Sequence, residues 1–293
     1  MHVATDEPVL LAPTLLGGQS FRFRAIGDAF AGVVEGDLWT LATAPGGLAW
    51  TSARRRGRAR LARYLGLDGS YPAALERLSQ DPVLAPVVAR HAGLRVLRQE
   101  PWETLVAFVT SANNHVPRIE GILARLAEAA GEPRDDGEVP YHAFPDADAV
   151  ARLGERRLVS LGFGYRAPYV RATARAVARG DCDLEALREA SCGEAREALL
   201  ALPGVGPKVA DCVALFGLGH GEAFPVDRWI ARAVADRFFE AGEAPRDLKA
   251  FALARWGSDA GLAQQFLFHA ARVEGAHGRR APGASRLASS AAP

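Results

Sequence analysis

Residues 191–229 read SCGEAREALLALPGVGPKVADCVALFGLGHGEAFPVDRW, and this stretch decides the fold. Ser191 followed three residues later by Glu194 is a capping-box pattern, in which each side chain satisfies a backbone amide that the first helical turn leaves without a partner. It opens a helix running through Ala201. Pro203-Gly204-Val205-Gly206 cannot continue that helix. Pro207 fits the first turn of a second one, where its missing N–H costs nothing, and that helix runs to about Leu218. The segment is therefore helix, tight hairpin, helix. Gly204 and Gly206, on either side of Val205, let the hairpin backbone come close to another group. The amides of the second helix's first turn point outward, which makes a site for a phosphate. On Gly-x-Gly alone, an ordinary helical hairpin fits as well.

Three side chains in this stretch can carry chemistry. Lys208 lies in the first turn of the second helix, where the macrodipole disfavours a cation. The same field favours the neutral amine, the nucleophilic form. The alternative is a solvated surface lysine. Asp227 follows Pro225-Val226 and precedes a helix expected over residues 229–239, so it reads as an N-cap. Capping fixes an ionised carboxylate at a helix N-terminus, where it can stabilise a developing cation or assist proton transfer. Cys212 stands four residues after Lys208 on the same helical face. By periodicity it is a small core hydrophobe.

The 293 residues leave room for one large or two modest domains. Hydrophobic residues at 49% and charged residues at 24% exclude a disordered or collagen-like chain. No apolar run approaches the roughly 20 residues that span a bilayer. Residues 1–7 lack the basic and apolar regions of a signal peptide, so the cytoplasm is the expected location. A net charge of +1 gives no whole-chain basic field. Of the 35 basic residues only Lys208 and Lys249 are lysines. Arginine cannot give up its proton in a protein and lysine can, which singles out each lysine here. Cys182, Cys192 and Cys212 form no CxxC and no Cys/His cluster, and the seven histidines form no HExxH. A disulfide framework, a zinc site and an iron–sulfur cluster are therefore not expected.

Residues 1–66 read as β-rich. Residues 20–25 alternate apolar and polar, residues 30–41 look like a hairpin turning at Gly36-Asp37, and residues 48–51 read as a further strand. Helical periodicity takes over near Tyr71, and residues 99–273 read as almost wholly helical. One helix starts at Pro101 and stops near Ala112-Asn113-Asn114; another starts around Pro117 and stops at Gly131. Residues 131–146 read as a loop. Helices are expected over 147–160, 165–179, 183–190 and 246–274, and a disordered tail over 276–293.

The combination LPGVGPKVADC followed by PVD resembles the Gly/Pro-rich, Asp-terminated helix–hairpin–helix motif of base-excision DNA glycosylases. Further segments are similar to one branch, the 8-oxoguanine DNA glycosylases: GQSFRF at 18–23, LRQEP at 97–101, SANNHVPRI at 111–119, YHAFP at 141–145, LGFGYRA at 161–167 and AGLAQQFLF at 260–268. The similarity runs in order over roughly residues 15–272. It implies an α+β chain: an N-terminal antiparallel β domain with a helical extension over 1–98, then a larger all-α helix–hairpin–helix domain over 99–275 whose hairpin unit occupies about 193–218. It implies excision of 8-oxoguanine from damaged double-stranded DNA, with Lys208 as nucleophile and Asp227 as the essential carboxylate. The Gly18 carbonyl would accept from the N7–H of the lesion. The flipped base would stack between Cys212 and Phe268, with Gln264 on its Watson–Crick edge. Asn113 would fill the vacated space, Arg118 and Arg166 would read the orphaned cytosine, and Tyr165 would wedge beside it. The amides of Gly204, Val205 and Gly206 would hold a DNA phosphate. The carbonyls of Leu200, Leu202 and Val205 are the candidates for a structural monovalent or divalent cation; no cofactor is required.

The sequence departs from the family pattern in places. Trp229 stands where the family carries a phosphate-contacting histidine, Ala271 where an acidic residue is common, and His115 replaces an asparagine. The short N-terminal domain and the missing presequence fit a compact bacterial member acting as a monomer, with neither membrane nor obligate protein partner. Two rivals remain: an alkylpurine DNA glycosylase, against which Lys208 and the Gly18 segment argue, and a non-catalytic helix–hairpin–helix DNA-binding protein. The second leaves Lys208, Asp227, Gln264 and Phe268 without a shared purpose. The run Arg54-Arg55-Arg56-Gly57-Arg58-Ala59-Arg60 reads as a solvated face or a phosphate contact.

Overall fold

The structure is a computed structural model that describes residues 1–5, 7–52, 57–135, 139–240 and 243–278. Arg54, Arg55 and Arg56 and most of the expected tail lie outside the described residues.

Five strands form one antiparallel sheet: β1 (His2–Ala4), β2 (Phe23–Ile26), β3 (Ala29–Val34), β4 (Asp37–Ala44) and β5 (Gly47–Ser52), in the order β1-β5-β4-β3-β2. The β3–β4 hairpin is set by its turn. Val34 pairs with Asp37, which leaves Glu35-Gly36 as a two-residue connection at φ 48° and 72°. Such a turn matches the right-handed twist of the strands. It falls one residue before the Gly36-Asp37 expected from sequence. Trp39 and Leu41 are fully buried and alternate with the half-buried Leu38, Thr40 and Ala42, so one face of the sheet is core. Helices α1 (Leu11–Leu16) and α2 (Arg58–Tyr64) cover that face, and Leu15, Trp39, Trp50, Leu61 and Tyr64 share its core.

The remainder is helical: α3 (Tyr71–Ser79), α4 (Ala85–His91), α5 (Pro101–Ser111), α6 (Val116–Ala130), α7 (Ala147–Leu153), α8 (Glu155–Ser160), α9 (Ala167–Ala178), α10 (Cys192–Leu200), α11 (Pro207–Val213), α12 (Arg228–Phe238), α13 (Leu248–Trp256) and α14 (Ala260–Gly278). The stretch read as a loop after Gly131 carries a short two-stranded ladder, β6 (Pro133–Asp135) with β7 (Pro140–His142). The helix expected over 147–160 is two helices, because the chain takes φ +74° at Gly154. Residues 183–190 hold only a single 3-10 turn, Ala186–Arg188.

Two cores organise these helices. Leu105, Phe108, Ile122, Leu123, Phe163, Leu199, Val209 and Phe216 belong to one, built on α5, α6 and the helix–hairpin–helix. Ile230, Val234, Trp256, Phe266 and Leu267 belong to the other, together with Leu78 from α3, Leu84 just before α4 and Val88 from α4. No helix among the described residues is long and apolar enough to cross a membrane.

Candidate active site

The hairpin joins α10 to α11. The Ser191 hydroxyl accepts from the Glu194 amide, and the Glu194 carboxylate accepts from the Ser191 amide at 2.9 Å, so the capping box forms as the sequence implies. Past the end of α10 the Leu202 carbonyl closes the hairpin turn by accepting from the Val205 amide at 3.2 Å. Gly204 takes φ +78°. A Cβ there would lie 2.6 Å from the Cβ of Tyr169 on α9. Thr173, one turn further along α9, donates to the Pro203 carbonyl at 2.7 Å. The hairpin is thus seated on α9. Val205 is buried and Gly206 half-buried, with open space where a Gly206 side chain would go. Beyond Val213 the second helix continues as a π-helical turn, Ala214–Leu218.

Pro207 starts α11 and places Lys208 in its first turn. The half-buried Lys208 amine donates to Ser111 Oγ at 3.3 Å and lies 4.9 Å from the centre of the Phe108 ring. Both partners come from the C-terminal half of α5. Burial pushes the Cys212 thiol up to about 11, and the Asp227 charge acts in the same direction while Lys208 opposes it. Cys212 therefore stays a thiol. Asp227 caps α12: its Oδ1 accepts from the Ile230 amide at 2.8 Å. Trp229, two residues on, is exposed.

A second group of residues collects beside this centre. Gln264, on α14, is buried and donates to the Pro225 carbonyl at 3.2 Å, which ties α14 to the loop carrying Asp227. Phe268, one turn along α14, faces the segment after α1. A Cβ on Gly18 would lie 3.8 Å from the Phe268 ring, and Gly18 itself takes φ +99°. The carbonyls on either side of Gly18 are occupied. Gly17 accepts from Arg272 at 2.5 Å, and Gln19 accepts from the Gln99 amide group at 2.6 Å. The buried Gln19 side chain donates to the Arg95 carbonyl and accepts from the Leu97 amide. No donor among the described residues reaches the Gly18 carbonyl.

The turn between α5 and α6 forms a third group. Asn113 takes φ +49° and is exposed. The buried Arg166 donates from Nε to the Ala112 carbonyl at 2.8 Å and from Nη2 to the Asn113 carbonyl at 3.0 Å. Tyr165 donates its hydroxyl to the same Ala112 carbonyl at 3.2 Å and stays exposed, with the Arg166 guanidinium over its ring. Asn113, Tyr165 and Arg166 are therefore one cluster. Arg118 is exposed in the first turn of α6, without a side-chain partner among the described residues. Ser111 and Phe108, under Lys208, and Arg272, on Gly17, are site neighbours that sequence reasoning missed. Ser111 opens the family-like stretch 111–119, and that was its only signal.

A helix–hairpin–helix holding a lysine, followed by an aspartate-capped helix, defines a class. Residues 106–257 match the HhH-GPD superfamily of base excision DNA repair proteins, and the chain belongs to it. Residues 2–105 match the 8-oxoguanine DNA glycosylase N-terminal domain, which fixes the branch. An N-glycosylase/DNA lyase of Arabidopsis thaliana is 33% identical over 76% of this chain and 64% of its own length. A probable N-glycosylase/DNA lyase of Methanothermobacter thermautotrophicus is 32% identical over 67% of this chain and 69% of its own length. The 8-oxoguanine glycosylase/lyase of Clostridium acetobutylicum, solved with double-stranded DNA containing cytosine opposite 8-oxoguanine, superposes with TM-score 0.86 at 27% identity, over 94% of this chain and 98% of that one.

Proposed function

We propose that this protein is a bifunctional DNA glycosylase and lyase that removes 8-oxoguanine, paired with cytosine, from duplex DNA. The observation that carries the reading is Lys208, set in the first turn of the hairpin's second helix against Ser111 and Phe108, with the Asp227-capped helix following it. The Gly204 and Gly206 amides hold a phosphate of the bent duplex, the Val205 N–H being spent on the Leu202 carbonyl, and the lesion swings out of the stack. Its base lies between Cys212 and Phe268, with Gln264 on its edge. The Gly18 carbonyl accepts from N7–H. Guanine offers an acceptor at N7 instead, and leaving two buried acceptors face to face costs roughly 1–3 kcal/mol. Asn113 and Tyr165 fill and wedge the vacated step, and Arg118 and Arg166 attend to the orphaned cytosine.

The Lys208 amine, having given up its proton, forms a bond to the sugar C1′ as the bond to the base breaks, and the departing base takes up a proton. Asp227 stabilises the positive charge that develops on the sugar. Opening of the sugar ring gives a Schiff base to Lys208, and loss of a proton from C2′ expels the 3′ phosphate by β-elimination. The protein needs no redox cofactor. A cation fits the hairpin on one count: the Leu202 carbonyl spends one lone pair on the Val205 amide and keeps another. The carbonyls of Leu200 and Val205 complete the proposed cradle. The enzyme works as a cytoplasmic monomer.

The test is base release from three duplexes, carrying one 8-oxoguanine opposite cytosine, one 3-methyladenine, or no lesion. Release of 8-oxoguanine alone supports the reading. Release of the alkylated base alone supports an alkylpurine glycosylase. Retention of all three duplexes without release supports a non-catalytic binding protein.

A further inference from the structure

Two sides of the proposed base pocket, the Gly18 edge and the Phe268 face, come from opposite ends of the chain, and one side chain spans them. Arg272 lies four residues beyond Phe268 on α14. It donates to the Gly17 carbonyl across 255 residues of sequence, at 2.5 Å. Its guanidinium carbon is 5.6 Å from the centre of the Phe268 ring, within the range of cation–π attraction. A Cβ on Gly18 would come within 3.3 Å of the same Nη1. Arg272 is half-buried, and it has no carboxylate partner among the described residues; the neighbouring Glu274 pairs with Arg237. A half-buried cation without an anion is not there for an ion pair. Its hydrogen bond goes to the Gly17 carbonyl and its guanidinium lies by the Phe268 ring.

The flanks of Gly18 make the consequence plain. On one side Gln19 is anchored through Gln99, Arg95 and Leu97. On the other side the Gly17 carbonyl is held by Arg272. Two adjacent glycines have the widest backbone freedom available to a chain, so an unanchored Gly17–Gly18 peptide can rotate. We infer that Arg272 is a positioning residue for base recognition: it holds the Gly18 carbonyl at a fixed separation from the Phe268 face. The inference rests on the reading that this pocket takes 8-oxoguanine. Arg272 acts on base recognition and not on the lysine chemistry, which α11 and α5 assemble separately.

Two substrates separate those roles. A duplex with a preformed abasic site has no base to recognise and needs only Lys208 and the DNA grip. Arg272→Leu, which keeps an apolar cover on Phe268, is expected to slow single-turnover release of 8-oxoguanine at least tenfold. The same variant is expected to form the borohydride-trapped adduct with abasic-site DNA within twofold of the unmodified protein. Arg272→Lys, which retains a donor for Gly17, is expected to recover most of the lost rate. Equal losses on both substrates would mean a general scaffold role and would overturn the inference, as would unchanged 8-oxoguanine release. Should the unmodified protein trap on abasic DNA yet release no 8-oxoguanine, the substrate reading itself fails, and the inference with it.

Discussion

Asp227 is a helix cap and a charge at once, and the two roles can be pulled apart. Its Oδ1 bond to the Ile230 amide starts α12. Asparagine caps a helix about as well as aspartate. Asp227→Asn should therefore leave stability within about 1 kcal/mol while slowing base excision roughly 10²- to 10⁴-fold. Thermal melting and single-turnover kinetics on the same samples check both halves. A rate loss matched by a comparable loss of stability would assign Asp227 to structure alone. Lys208 and Asp227 are legible in the sequence because their places are coded locally, by a proline in a first helical turn and by a cap before a helix. Ser111 and Arg272 are not, because they reach their partners across 97 and 255 residues. No periodicity carries that information.

At the scale of elements, the hairpin is a rigid device seated on α9. Gly204 meets two constraints, a left-handed φ and the Tyr169 side chain 2.6 Å from where its Cβ would be. Gly204→Ala should cost roughly 1–3 kcal/mol and weaken retention of undamaged duplex DNA, read by denaturation and by equilibrium binding. Unchanged binding in a folded variant would remove the hairpin from the DNA grip. The limits of α10 and α11 follow from a capping box and a proline, signals that act within one turn. The π-helical turn at Ala214–Leu218 has no such signal; it depends on how the fully apolar stretch packs into the core. The β6–β7 ladder was hidden for a related reason: strands of three residues are too short to show alternation.

At the scale of the molecule, one buried carboxylate joins elements that the sequence separates. Asp81 accepts from Arg255 Nε at 2.5 Å, from Trp256 Nε1 at 2.8 Å and from the amides of Val83 and Leu84. It thereby fastens the approach to α4 onto α13. Burial raises its carboxyl, but the bonds from Arg255, Trp256 and the two amides outweigh burial and hold it at about 2. A carboxyl held below its unfolded value stabilises the fold above that unfolded value, and the contribution disappears as pH falls toward the folded one. Stability should therefore decline from about pH 4 toward pH 2. Asp81→Asn should be less stable at neutral pH by about 1–3 kcal/mol, with part of the acid decline removed. Urea titrations of both proteins between pH 2.5 and 7 test this, and parallel pH profiles would contradict it. The two-part architecture was legible from composition and periodicity. That α3 and α4 complete the core of α12–α14 was not, because an apolar helix face names no partner.

Under the proposed function Lys208 is the nucleophile and 8-oxoguanine its lesion. Borohydride trapping on a duplex with one 8-oxoguanine opposite cytosine tests both together. The expected result is a covalent protein–DNA adduct with the unmodified protein and none with Lys208→Gln. Base release by the unmodified protein without any adduct would contradict the account, since water and not Lys208 would then be attacking the sugar.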